Sequence, residues 1–121
     1  MTWKQSTGQM FDAGGSVIAT GYAGNGPDLN NPDSQAIHAR GPLPQGNYAI
    51  GPLQASHGTL GTNVAFLEPD PANEMFGRSG FFMHGRKSPA DMDASDGCIV
   101  IDHDARLAIL NGIDRRLQVI S

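Results

Sequence analysis

The stretch FFMHGRKSPADMDASDGCIVID, residues 81–102, holds the chain's one cysteine and decides how the rest is read. Gly80 to His84 and Cys98 to Ile101 are short apolar runs rich in aromatic and β-branched residues, the composition of strands. Small and polar side chains fill the interval between them. His84 closes the first run and Cys98 opens the second, so two adjacent strands would bring imidazole and thiol to the same sheet end. Gly97 frees the backbone just before the thiol, where a side chain would obstruct an approaching carbonyl. Ser95 and Asp96 add polar groups at the same place.

Working outward, 121 residues make one domain, 1–121, with a single modest core. Sixteen glycines and eight prolines favour short strands joined by turns over a helical bundle. Trp3 to Phe11 and Ser16 to Tyr22 alternate polar and apolar residues across Asp12-Ala13-Gly14-Gly15, a hairpin pattern. From Ala23 to Pro44 the chain is nearly all turn-forming, a length of loop that is uncommon in a compact domain unless it works on something. Strands are expected at Tyr48 to Ile50, Asn63 to Leu67 and Leu117 to Ile120. One helix is predicted over Asp102 to Asn111, with Asp102 as N-cap, Asp104 at the positive dipole end and Gly112 at the exit. The fold class is therefore mainly β with one short helix.

Composition excludes several functions. A net charge of −4 with no basic block argues against nucleic-acid or anionic-membrane binding. No stretch approaches a membrane span, and Met-Thr-Trp-Lys-Gln-Ser lacks the apolar core of a secretory signal; synthesis in the cytoplasm without a cleaved leader is expected. One cysteine rules out multi-cysteine zinc sites. His38, His57 and His103 are scattered, and Asp91, Asp93 and Asp96 lack the spacing and closing glutamate of a calcium loop. No metal or cofactor is expected.

The chemistry that needs a cysteine and a histidine together is acyl transfer. The thiolate is the nucleophile, and a free thiol with pKa of about 8.5 is mostly protonated at neutral pH. An imidazole can take that proton and return one to a leaving amine, while N–H groups at Gly97 and Cys98 hold the oxyanion. Activation by His84 predicts a thiol titrating below an ordinary cysteine. Asp96 opposes this if its carboxylate lies near sulfur.

The ordered set His84-Gly85, Ser95, Gly97, Cys98, Ile99 resembles the signature of the YkuD-type L,D-transpeptidases, in which histidine-glycine precedes a Ser/Thr-x-Gly-Cys block. The segment GPLPQGNYAIG, residues 41–51, is similar to their Pro-x-Gly-Tyr/Phe strand entry. GYAGNGPDLNNP, residues 21–32, is closer still to the leaderless L,D-transpeptidase effectors that bacteria inject through type VI secretion. The resemblance implies a YkuD-like β domain acting on peptidoglycan tetrapeptide stems through a thioester. It makes Cys98 the nucleophile and His84 the base, with Gly85, Ser95, Asp96 and Gly97 supporting the site. It further implies delivery to the target-cell periplasm and a cognate immunity protein.

Two departures stand out. Asp96 occupies a position where many transpeptidases carry histidine, and Val100 one where many carry arginine. Arg86 or Lys87 could replace that charge, and Tyr22 and Asn31 match the effectors' loop pattern as candidates for lining the substrate groove. Papain-like amidases fit less well, because their cysteine precedes the histidine in the chain. A noncatalytic β module that binds cell-wall glycan or a protein is the competing reading.

Overall fold

The computed structural model describes residues 1–86 and 95–121. Among the described residues, nine strands and one α-helix follow in chain order: β1 Thr2–Lys4, β2 Gln9–Phe11, β3 Val17–Thr20, β4 Gly46–Ile50, β5 Gln54–His57, β6 Gly61–Pro69, β7 Phe82–His84, β8 Ile99–Val100, α1 His103–Leu110 and β9 Arg116–Ile120. The mainly β expectation with one short helix holds. Among the described residues no helix is long and apolar enough to cross a membrane.

The sheet order is β3-β2-β1-β9-β4-β6-β7-β8, with β5 paired to β6 beside the end of β4. Strand β9, the last in sequence, lies in the middle: it runs parallel to β1 and antiparallel to β4. The two ends of the order then meet. Beyond β3 the chain reaches Tyr22, whose N–H donates to Val100 O at 3.0 Å and whose carbonyl accepts from Val100 N at 2.8 Å. Tyr22 thus bridges to β8, joining the first strands to the last around the core. Gly21 permits that approach, since a Cβ there would lie 1.9 Å from Val100 O.

Trp3, Met10, Leu43, Leu67, Met83, Ile99, Leu117 and Val119 are buried together inside the sheet, and Ile109 and Leu110 of α1 complete the cluster. The helix begins as its sequence requires. Asp102 stays extended and its carboxylate accepts from Ala105 N at 3.0 Å, satisfying one of the donors a helix start leaves open.

Three strand expectations need correction. The run Trp3 to Phe11 is two strands, because Gly8 at φ +67° and the Gly8 N–H to Lys4 O bond turn the chain back on itself. The hairpin across Asp12–Gly15 is present between β2 and β3. Strand β5 was not expected: Gln-Ala-Ser-His is weakly apolar, and it is a strand because β6 extends to pair with it. Cys98 stands just before β8 rather than inside it.

The candidate active site at the β7–β8 strand ends

Strands β7 and β8 lie side by side and parallel, with Met83 opposite Ile99 and His84 opposite Val100. Alternate residues of a strand face opposite ways. Met83 and Ile99 belong to the core, so His84, Val100 and Cys98 share the other face. Because Tyr22 bridges to Val100, Tyr22, Val100 and His84 form one row across three chain segments. Cys98 sits one pleat away, about 4.8 Å across and about 6.6 Å along from the backbone of His84 by sheet spacing. The two strands are adjacent as expected, with His84 ending β7 and Cys98 just before β8.

Nδ1 of His84 lies 2.7 Å from the carbonyl oxygen of Gly85. A carbonyl only accepts, so Nδ1 carries a proton, and in a neutral ring the lone pair would sit on Nε2. Gly85 has a second function: a Cβ on it would lie 2.6 Å from Nη1 of Arg106. That buried arginine donates to Asn63 O at 2.8 Å and Ile101 O at 2.7 Å, fixing α1 against β6 behind the histidine.

The thiol is 8% exposed. Sγ accepts from the Phe82 N–H at 3.3 Å and lies 4.0 Å from Gly80 O. Burial pushes the thiol above its ordinary value, and the Asp96 carboxylate adds to this; the Phe82 N–H, the N–H of Cys98 itself and the Arg78 guanidinium pull the other way. The expectation of a depressed thiol is therefore corrected, because desolvation outweighs the donors around sulfur.

Ser95 organises the turn before the thiol. Its hydroxyl accepts from Gly24 N at 2.8 Å and Gly97 N at 3.2 Å and donates to Cys98 O at 3.0 Å. Ser95 N donates to Gly24 O, and Ser95 O accepts from Asn25 Nδ2 at 2.7 Å. Gly97 holds φ +119°, and a Cβ there would lie 2.6 Å from Arg78 Nη2 and 2.7 Å from the Phe81 ring. Its carbonyl accepts from Leu43 N at 3.0 Å. The long loop from Ala23 to Pro44 is thus the wall that straps the cysteine turn in place. The Asp96 side chain is exposed while its carbonyl accepts from Arg78 Nη2 at 3.1 Å.

Of the groove candidates, Tyr22 and Arg86 come together: the Arg86 guanidinium lies 5.6 Å from the Tyr22 ring centroid, a cation–π distance. Both line a cleft with Gly85, Val100, Asp102 and His103. The Tyr22 hydroxyl is buried with no hydrogen-bond partner among the described residues. Asn31 instead caps the turn Pro32–Ser34, its Oδ1 accepting from Asp33 N at 3.1 Å. Lys87, Asp91 and Asp93 lie outside the described residues. Among the described residues no group of three or more His, Cys, Asp or Glu stands together as a metal site would require.

Sequence reasoning missed Arg78 and Asn25. Arg78 stands alone between glycine and serine, a context that reads as a solvated turn. Asn25 lies in a loop made mostly of turn formers, where one more asparagine carries no signal.

The fold is a β domain in which His84 ends β7 and Cys98 stands just before the adjacent parallel β8, both buried, while the cleft at Tyr22 and Arg86 is lined by their neighbours Gly85 and Val100. A family model described as the Tlde1 domain matches residues 18–120, and the chain belongs to that family, named for type VI secretion L,D-transpeptidase effectors. No curated protein and no solved structure matches the chain.

Proposed function

We propose that this protein is a cysteine-dependent L,D-carboxypeptidase or L,D-transpeptidase of peptidoglycan tetrapeptide stems, delivered as an antibacterial effector to the target-cell periplasm. The parallel pairing of β7 with β8, which sets His84 opposite Val100 and Cys98 next before Ile99, is the observation that carries this reading. Family membership supports the substrate class and the delivery route.

The chemistry follows from the tautomer and the buried thiol. With Nδ1–H anchored on Gly85 O, Nε2 is the basic nitrogen. A thiol kept protonated at rest gives up its proton during attack, as a hydroxyl nucleophile does, rather than from a resting ion pair. Sγ bonds to the carbonyl carbon of the third stem residue as Nε2 takes the thiol proton. The C–N bond to the terminal D-alanine then breaks, and the imidazolium protonates the leaving amine. Water or an amine attacks the thioester, its proton passing to Nε2, and the thiol is restored.

The N–H of Cys98 is the better placed oxyanion donor, since that of Gly97 is engaged by Ser95 Oγ and must turn to contribute. Arg86 supplies a cation for a substrate carboxylate, taking over from the arginine that Val100 replaces. A cognate immunity protein would protect the producing cell.

Incubation with purified muropeptides and mass analysis tests the reading. Tetrapeptides should become tripeptides, pentapeptides should react poorly, and Cys98→Ala should lower the rate at least about a hundredfold. Burial of the thiol, and the upward titration that burial causes, stand on the side of a noncatalytic module binding glycan or protein. Binding of tetrapeptides without turnover would establish that module and end the enzymatic reading.

A further inference from the structure

Arg78 is a buried cation without a carboxylate. It is 6% exposed, and its guanidinium donates to four backbone carbonyls: Gln35, Pro42 at 2.8 Å, Gly41 at 2.9 Å and Asp96 at 3.1 Å. Its Cζ lies 5.1 Å from the centroid of the Phe81 ring. A guanidinium hydrogen-bonded only to carbonyls has no ion-pair partner in contact, and burial lowers its proton affinity although Tyr48, Cys98 and Asp96 act the other way. Such a residue is costly to retain for packing alone, since an apolar side chain of similar volume is often equal or better.

Its location explains the cost. Arg78 joins the long loop, at Gln35 and Gly41–Pro42, to the cysteine turn at Asp96. It presses on Gly97 so closely that only glycine fits between guanidinium and thiol backbone. The described charged groups that act on the sulfur are Asp96 on the same turn and Arg78, with His84 two residues along the neighbouring strand from Phe82; Tyr48 is the further titratable group acting on Arg78 itself.

We infer that Arg78 is a positioning residue for the nucleophile, clamping the cysteine turn to the long loop and holding a fixed positive charge beside the sulfur. As the thiol loses its proton to His84, that charge offsets the desolvation of the developing thiolate and the opposing Asp96 carboxylate. The inference rests on the proposed role of Cys98, but its test needs no muropeptide, so the two can fail separately.

Alkylation of Cys98 by iodoacetamide, followed against pH in the full chain, reads the charge at sulfur. Arg78→Met should slow alkylation at neutral pH about twofold at low salt, in keeping with loss of an opposite charge that acts on the sulfur more weakly than the Asp96 carboxylate does. Arg78→Lys, which keeps the cation and loses the fork, should recover most of that rate although both variants melt lower than the parent. Should Arg78→Met fail to fold, the guanidinium nitrogen resonances of Arg78 in the parent must shift at the pH where the thiol titrates, and that step must vanish in Cys98→Ala. Equal slowing in the Lys and Met variants, an unmoved profile in folded Arg78→Met, or guanidinium resonances blind to the thiol would each reduce Arg78 to a structural clamp and overturn the inference.

Discussion

The backbone N–H of Phe82 donates to Sγ of Cys98 across 3.3 Å, from the strand that ends in His84. One short strand therefore supplies both a donor to the sulfur and the ring proposed to take its proton. The donor favours thiolate, yet desolvation is the larger influence on this thiol. Reactivity at Cys98 is thus a balance that single substitutions can tip.

The titration of Cys98 gives the first prediction. Its inflection by alkylation should lie above that of an ordinary thiol. Asp96→Asn should move it down, because removing a carboxylate favours thiolate, and should quicken alkylation at neutral pH about two- to threefold at low salt. An unchanged or slower rate would show that the Asp96 charge does not reach the sulfur. A thiol raised in the folded state adds stability below its unfolded value of about 8.5, which is lost as pH rises through the folded one. Cys98→Ala should remove that part of the alkaline fall in Tm.

Ser95→Ala deletes the acceptor for Gly24 N and Gly97 N and the donor to Cys98 O. All three bonds are buried, so a loss of about 1–3 kcal/mol is expected on denaturant unfolding. Turnover should drop further than stability, since the turn that aims Cys98 is released. Full activity in Ser95→Ala would mean that the long loop holds the turn without it.

Gly97→Ala meets both a conformational and a steric obstacle. The backbone is at φ +119°, and the new Cβ would lie 2.6 Å from Arg78 Nη2 and 2.9 Å from Gly41 O. Arg78 cannot swing away without abandoning its carbonyls. Destabilisation of about 2 kcal/mol or more is expected, together with a lower Tm and a loss of muropeptide turnover. A variant as stable as the parent would show that the turn has room this geometry denies it.

Tyr48 tests the other end of the same wall. Its hydroxyl donates to Pro44 O at 2.6 Å, and burial pushes the phenol well above its ordinary value. A raised phenol contributes stability that is complete below pH of about 10 and is lost as pH rises through the folded value. Tyr48→Phe should cost about 1 kcal/mol at neutral pH. It should also flatten the decline of Tm above pH of about 10, and an identical alkaline decline in both proteins would assign it elsewhere.

The elements legible in the sequence are those set by local chemistry. Asp102 caps its helix through an N–H three residues on, and Gly46 at φ +141° turns the chain into β4. The apolar runs around His84 and Cys98 identified the site strands, because a strand's composition is its own. What the sequence could not supply are features fixed by residues far apart in the chain. Strand β5 exists only as a partner to β6, and the central place of β9 depends on β1 and β4, both far earlier in the chain, flanking it on its two sides.

The same division runs through the site. Sequence order and residue type nominated His84, Cys98, Ser95 and Gly97, since few other reasons place histidine-glycine before Ser-x-Gly-Cys. Tertiary structure decided the rest. Burial reversed the expected direction of the thiol titration, Ser95 took the Gly97 N–H, and Asn31 became a turn cap. Arg78, isolated in sequence, gathered carbonyls from Gln35 to Asp96. Desolvation and long-range hydrogen bonding are properties of what surrounds a group in space, and a linear pattern records only what adjoins it along the chain.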